Sequence, residues 1–571
     1  MVSFDDAANL GVRTIEATHK VNGKYYKWFL FAGLGLSAYV YSLDGTTTYN
    51  YLAFATSSFG HHSLISTIQV AQSIIIAVGK PVIAKFADVR SRGSAYLLAL
   101  IFYAIGYIVI ASAGNTATIA GGIIIYAVGY TGLQLLMQII IADITTLKWR
   151  GLVSSLVSTP FIINAFVGSN ISTSILTHST WRWGYGMFAI LVPAALSPLI
   201  VTLLWAERRA RKSGLITKPD SLPFIRAVMD FTDRLDLFGL VLLGISVTLI
   251  LLPLTLSQTA EGHWKNASII AMIIIGGCLL PFFAFWEVKF AQYPVVPKRF
   301  LSNRTIVLAA FIGAFDFISF YLTYTYLFSF ILVVKPWTLL NATYFSQTQS
   351  VALTFFGILC GLMMRFVHRY KYILSIGLTI RLIGCGLMIH SRGANASDAE
   401  IVWSQLLQGI GGGIAAVASQ VGAQASVTHS DVAMATAFVL LITEIGGSIG
   451  SSIAGALWMN IMPARMAKHL PFLSQNEQAE LFGSIVSVTQ YPRGNPIREG
   501  VIQAYDDVMR TMTITATVIA VIPLLLSLFM SNYYLGDSQN AVEENDLRDM
   551  DSREGDKDNY PIDLDTTVAK K

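Results

Sequence analysis

Residues 94–113 read SAYLLALIFYAIGYIVIASA, twenty positions without a charged side chain. The hydrocarbon of a bilayer is about 30 Å thick and a helix rises 1.5 Å per residue, so roughly 20 apolar residues cross it. The stretch predicts a membrane-spanning helix. Outward from it, the same pattern recurs in both directions with short polar breaks. The spans fall at 29–49, 64–84, 94–113, 117–142, 152–174, 185–205, 238–257, 267–287, 306–333, 348–367, 372–391, 401–427, 433–460 and 511–533. The fold class this predicts is an all-α membrane protein with 14 transmembrane helices.

Composition agrees. Hydrophobic residues make up 54% of the 571 positions and charged residues 13%, against about 25% charged in soluble domains. Mean hydropathy is +0.58. The net charge of +5 comes from basic residues scattered over short loops, so it implies no nucleic-acid partner. Cys278, Cys360 and Cys385 all lie in apolar runs and suggest neither a disulfide framework nor a metal site. No hydrolase, kinase or nuclease constellation is visible, and an enzyme is not expected. The polar start (Asp5, Asp6, Arg13, Glu16) does not read as a cleavable signal, leaving the first span as the insertion signal.

An even number of spans puts both termini on one side. With the N-terminus inside, the inner loops carry Lys85, Arg90 and Arg92, then Lys148 and Arg150, then the run from Arg208 to Arg234, then Lys289 to Arg304, then Arg365, Arg369 and Lys371. The opposite loops carry mostly one basic residue each, such as Arg182, Lys265, Lys335 and Arg392. That asymmetry is the positive-inside bias, and it predicts cytoplasmic termini. The expected organisation is a tail at 1–27, a six-helix half at 28–205, a linker at 206–237, two inserted helices at 238–290 and a second six-helix half at 304–535. That second half includes a long outer loop at 461–510. Its apolar and aromatic content (Leu470, Phe472, Phe482, Tyr491, Tyr505) predicts a packed segment. Residues 536–571 hold eleven Asp/Glu against five Lys/Arg and read as a disordered cytoplasmic tail.

Ionisable residues deep within the spans are few: Asp44, Asp316, Arg381 and Glu444. Each costs on the order of 2.5–3.5 kcal/mol at a helix centre, so each is expected to face a cavity or a partner. Asp44 shares its helical face with Tyr41, Thr48 and Tyr51, Asp316 with Ser319 and Thr323, and Glu444 with Ser448 and Ser451. Three such stripes predict a wet central cavity in which a carboxylate exchanges a proton. The alternative is a lock between a carboxylate and Arg381 that serves stability alone. Tyr126, Tyr130, Gln134 and Gln138, with Gln405, Gln408, Gln420 and Gln424, add uncharged hydrogen-bonding groups suited to a bulky, oxygen-rich ligand. Helix-to-helix glue is the other reading of the same residues. His61-His62 is too isolated to predict a metal site. Sequons at Asn266, Asn341 and Asn395 fall on expected outer loops.

The loop Ala84-Lys85-Phe86-Ala87-Asp88-Val89-Arg90-Ser91-Arg92 resembles the major facilitator signature, with alanine and serine in the place of two glycines. Its expected role is a latch: Asp88 paired with basic neighbours ties helices in one state and frees them in another. A weaker copy, Gly361 to Lys371 with Arg365 and Arg369, stands at the equivalent place in the second half and implies an internal repeat.

Longer stretches are similar to fungal siderophore-iron transporters of that superfamily: Tyr41 to Tyr51, His62 to Ile68, Ala77 to Asp88, Gln424 to Ala433, Ala454 to Asn460 and Tyr491 to Arg498 with Tyr505. The resemblance covers nearly all of 28–535. It implies proton-coupled import of an intact ferric siderophore, usually a hydroxamate, across a plasma, endosomal or vacuolar membrane. The iron would be cargo rather than a cofactor, and the protein a monomer. Asp44 and Glu444 would sit in the central cavity, and Tyr491, Arg493, Arg498 and Tyr505 in the outer loop. A drug–proton antiporter is disfavoured, because Ile125-Tyr126 and Ser158-Thr159-Pro160 stand where that class carries an arginine and a Gly-Pro motif. A glutathione–proton exchanger, a haem importer and a non-transporting receptor are the other readings.

Overall fold

The computed structural model describes residues 24–59, 65–213, 232–233, 236–257, 262–292, 294–483 and 485–537. Most of the N-terminal tail, His61-His62, most of the basic linker and the acidic tail beyond Asp537 lie outside the described residues. Among those described the fold is helical without strands. In chain order the helices are α1 (Lys24–Ser57), α2 (Ile65–Val89), α3 (Arg92–Ala111), α4 (Thr116–Ile144), α5 (Leu147–Val157), α6 (Pro160–His178), α7 (Trp181–Lys212), α8 (Leu237–Leu256), α9 (Ala267–Lys289) and α10 (Lys298–Ser302). They continue as α11 (Arg304–Tyr324), α12 (Leu327–Val334), α13 (Leu339–Val367), α14 (Lys371–Ser391), α15 (Asp398–Ala425), α16 (Val432–His469), α17 (Gln475–Gly483), α18 (Ile485–Thr489) and α19 (Pro496–Leu528).

Among the described residues, twelve helical segments are long and apolar enough to cross a membrane. The other two expected spans fall on α1 and on α8, which is apolar but shorter. Fourteen helices are therefore compatible with the structure. Two spans are jointed. The fifth breaks between α5 and α6, where Pro160 opens the second piece and has no N–H to continue the ladder. The ninth breaks between α11 and α12. Polar caps set several starts: Ser91 accepts from Ser94 N–H, Asn115 from Thr118 N–H, and Ser397 forms a capping box with Glu400.

The largest departure from expectation concerns 461–510. Hydropathy ends one span near 460 and starts the next near 511, but the helices run on to His469 and begin at Pro496. At 38 residues α16 is about 57 Å long, well beyond the hydrocarbon. The projecting ends hold each other through Met466, Leu470, Val501, Ile502 and Tyr505, packed on Phe330, Val333 and Val334 of α12. The segment is packed and mostly helical. Beyond α19, residues 529–535 form a non-helical strap, of which 529–533 were expected within the last span.

The first seven helices share one core, rich in Tyr96, Tyr103, Tyr107 and Tyr126, and the later helices share two more. Lys85, Arg90, Arg92, Lys148 and Arg150 gather at one end, the basic end; α12 and α17 lie toward the far end. At the basic end the halves touch. A Cβ on Gly361 of α13 would lie 2.5 Å from Leu152 N of α5, so only glycine permits this crossing.

Candidate functional site

Asp44 sits midway along α1, with no solvent exposure. Its surroundings follow from how closely α3 and α4 approach: a Cβ on Gly106 would meet Tyr126 N at 2.5 Å. That contact brings three tyrosines onto one carboxylate. Tyr103 and Tyr107 donate to its two oxygens, and Tyr126 donates at 2.7 Å. The expected wet stripe is thus corrected to a dry cage, in which phenols replace the water a buried carboxylate needs. Thr48 donates to the Asp44 carbonyl at 2.9 Å. Tyr51 packs edge-on against Tyr185 at 5.8 Å, away from the carboxylate.

Asp316 of α11 and Arg381 of α14 form an ion pair, and Arg381 also donates to the Asp316 carbonyl at 2.8 Å. Both helices belong to the second half. Ser319 donates to Ala516 O at 2.9 Å, joining α11 to α19.

The third acid crosses the boundary between the halves. Glu444 of α16 accepts from Lys80 of α2 at 2.8 Å; the lysine side chain is 0% exposed and the glutamate 16%. Tyr41 and Tyr130, stacked at 4.8 Å, lie within electrostatic reach of Glu444. Lys80 is absent from the expected set because the second span was drawn to end at 84, which put a lysine at 80 near the bilayer edge. The helix continues to Val89, so Lys80 lies about 14 Å inside its end. A lysine nine residues upstream of a helix stop is the signal that would have found it.

The amide stripes divide. Gln138 of α4 accepts from Gln420 of α15 at 3.0 Å, across the halves, and Gln134 and Gln138 border a cavity with Tyr41, Ser154 and Phe161. Gln408 donates to Thr323 at 3.0 Å and Gln424 to Thr436 at 3.0 Å, both buried within the second half. Gln405 is buried beside them. Gln408 and Gln424 are corrected from cavity lining to glue, each bonded to a threonine of a neighbouring helix.

At the basic end Arg92 holds Asp88 at 2.5 Å and Asp143, the penultimate residue of α4, at 3.0 Å. Arg92 thus ties the end of α2 to α3 and α4; Asp143 was missed because the fourth span was drawn to end at 142. Lys85 lies within electrostatic reach of Asp236 and Glu287, on either side of the inserted helix pair, while Arg90 is exposed. In the second copy, Arg365 of α13 stacks on the Trp149 ring of α5 at 3.8 Å. Arg369 donates to the Asn532 carbonyl of the strap. Ser155 of α5 donates to Gly357 O of α13 at 2.9 Å, and Lys148 N–H to Gly536 O at 3.1 Å. These contacts close the halves together at this end.

The outer arginines bind backbone. Arg498 donates to Val333 O at 3.1 Å, Leu332 O at 3.2 Å and Tyr491 O at 2.9 Å, and Arg493 donates to Val334 O. They neutralise the carbonyl end of α12. Tyr505 meets Trp458 edge-on at 4.9 Å, and Trp458 stacks on Tyr326 at 4.2 Å. Asn266 caps α9, whereas Asn341 and Asn395 are exposed.

The cavity beside Tyr41 measures about 160 Å³, below the roughly 300–1,000 Å³ of a small-molecule site. A cleft of about 470 Å³ opens elsewhere, between Phe166, Trp337, Tyr344 and Leu406, with Asn341 and Asp398 at its edge; none of the buried charge pairs lines it. Among the described residues, no cluster of three His, Cys, Asp or Glu is placed to hold a metal.

Residues 34–365 match the Major Facilitator Superfamily. The chain is 37% identical over 553 residues to the low affinity heme transporter str3 of Schizosaccharomyces pombe, covering 93% of this chain and 87% of that protein. It is 37% identical to the siderophore transporter fer7 of Mycosarcoma maydis, over 94% of this chain and 85% of that one. It is 36% identical to the siderophore iron transporter mirC of Emericella nidulans, over 95% and 91%. Among solved structures it shares the fold of a peptide transporter POT in complex with sulfate, with a TM-score of 0.54, 12% identity and coverage of 88% and 94%.

Proposed function

This chain belongs to the Major Facilitator Superfamily and to its fungal siderophore-iron transporters, and we propose that it imports an intact ferric siderophore of hydroxamate type, driven by protons. The observation that carries the reading is similarity along almost the whole chain to relatives named for siderophore transport. The basic end is cytoplasmic under the positive-inside rule, so both termini face the cytoplasm, and the membrane is the plasma membrane or an endosomal or vacuolar one. The iron is cargo, and the working unit is a monomer.

In this reading the described conformation is closed at the cytoplasmic end, through Gln138–Gln420, Ser155–Gly357 and the Gly361 crossing. A cavity of about 160 Å³ cannot hold a ferric siderophore, so the halves must part around Tyr41, Tyr130 and Gln134 for the cargo to pass. Phenol and amide groups suit a neutral, oxygen-rich chelate, offering hydrogen bonds without a fixed charge. Asp44, Asp316 and Glu444 are the carboxylates available to carry a proton. Alternating access follows as the halves rock about that site.

The test is uptake of iron-55 by a siderophore-transport-deficient yeast expressing the chain. Ferric hydroxamates and haem are supplied separately, with and without a protonophore. Protonophore-sensitive accumulation of a hydroxamate is the expected result. Uptake of haem alone would move the cargo to that of the first relative, and no uptake despite surface expression would overturn import.

A further inference from the structure

Of the buried charge groups, one is built differently. The Asp44 cage joins α1, α3 and α4. The Arg92 cluster joins α2, α3 and α4, and Asp316–Arg381 joins α11 and α14. The hydrogen bonds and ion pairs of each of these stay within one half, although Asp88 also lies within electrostatic reach of Asp431 across the boundary. Protonating a carboxylate in one of these breaks no ion pair between the halves, so it removes no charge contact that ties one half to the other. Lys80–Glu444 is the exception: α2 lies in one half and α16 in the other.

The two partners also differ in access. Glu444 is partly exposed and Lys80 is not, so a proton from the cavity reaches the carboxylate. Among the described residues Glu444 is the partner the structure gives the ammonium. Among the described residues, the groups that the elements around Glu444 turn toward it include no second counter-ion. Tyr41 of α1 and Tyr130 of α4 are phenols, and α11 presents Phe317 and Tyr321 against Gly447. The inserted helix α8 packs on Leu441 through Val247 and Leu251, and α19 meets α16 through apolar residues such as Met512 and Ala516.

We propose that Lys80 and Glu444 are the coupling pair: the driving proton binds the Glu444 carboxylate, and the charge contact holding α2 to α16 is released. The proton adds to one Glu444 oxygen, Lys80 keeps its ammonium, and no other bond changes. Left without a counter-charge in an apolar interface, the lysine favours any tilt of the halves that returns it to water or to another acceptor. The assignment rests on the proton-driven import proposed above, and it names the acid where that reading left three.

The experiment needs no cargo, so an error in the siderophore reading cannot decide it. Spin labels are placed on the full chain at Ser213→Cys, at the exposed end of α7, and Tyr372→Cys, exposed on α14, with Cys278→Ser removing the exposed native thiol. In nanodiscs the inter-label distance is read by pulsed electron resonance from about pH 8 to about pH 4, a window that includes the ordinary carboxylate range, and a parent that shows no shift across it overturns the proposal. The parent should shift its distance distribution with pH. Glu444→Gln should show the low-pH distribution at every pH, whereas Asp44→Asn and Asp316→Asn should titrate like the parent. If Glu444→Gln is not monodisperse, Lys80→Met/Glu444→Gln, which leaves no lone ammonium, carries the test and should also show no pH response. A pH response retained without Glu444, or lost in Asp316→Asn while Glu444→Gln keeps it, overturns the proposal. If the response depends on Glu444 but no hydroxamate is taken up, the pair stands and the cargo reading falls.

Discussion

Asp44 shows how far a single residue can be read. Its position in an apolar run marked it as unusual, but its surroundings could not be known, because the tyrosines that hold it come from 59, 63 and 82 residues away. With all its described polar contacts inside one half, Asp44 is a structural node. Tyr126→Phe removes the 2.7 Å bond and should cost about 1.5–3 kcal/mol, the range for a hydrogen bond to a charged group. A thermal-unfolding series in detergent should show a lower midpoint, with proton-driven accumulation retained in the folded fraction. An unchanged midpoint with accumulation abolished would make the cage part of the transport path. The residues missed from sequence, Lys80 and Asp143, share one cause: both lie where hydropathy had already placed the edge of the bilayer, and helices do not stop there. Gln408 and Gln424 erred in the opposite direction, because an amide stripe looks the same whether it faces a cavity or a neighbouring helix.

At the scale of elements, apolar run length located all twelve segments that are long and apolar enough to cross a membrane among the described residues, since a run of about 20 is a direct consequence of bilayer thickness. What it could not supply was the structure beyond the bilayer. The outer arginines are one case. Resemblance put Arg493 and Arg498 in an outer loop, and the structure ties them to the carbonyl end of α12. Arg498→Met keeps length and apolar bulk but leaves the carbonyls of Leu332 and Val333 without their donor. It should destabilise the far end by about 2 kcal/mol, seen as faster amide exchange in α12 and α18 with the basic end unaffected. The strap after α19 is the second case. Tyr370 donates to Ser531 O, Leu535 N–H to His368 O at 3.0 Å, and Lys148 N–H to Gly536 O at 3.1 Å. It therefore runs from the second half to the first. Ending the chain at Met530 should speed exchange at Lys148–Arg150 and at His368–Tyr370 together. Faster exchange at only one of the two would show that the strap does not bridge them.

The whole molecule poses a question of state. A transporter that rocks must break the contacts that close its halves at one end, and at the basic end these are Gln138–Gln420, Ser155–Gly357 and the Gly361 crossing. The Gln138–Gln420 bond at 3.0 Å is the one that sits between α4 and α15, beside the cavity. A hydrogen bond between neutral amides is worth about 1 kcal/mol net, so it marks closure without enforcing it. Gln138→Cys with Gln420→Cys, in the Cys278→Ser background, should therefore move the cycle little while the thiols are free. A short bifunctional thiol reagent should then join the halves and stop proton-driven uptake, and a cleavable version should restore uptake on reduction. The buried Cys360 and Cys385 are poor targets for the same reagent, and either single variant controls for modification without a bridge. Uptake that continues after cross-linking, shown complete by a mobility shift following cleavage between the halves in the linker, would mean that these helices do not separate. The closed basic end would then be a fixed feature of the fold rather than one position of a gate.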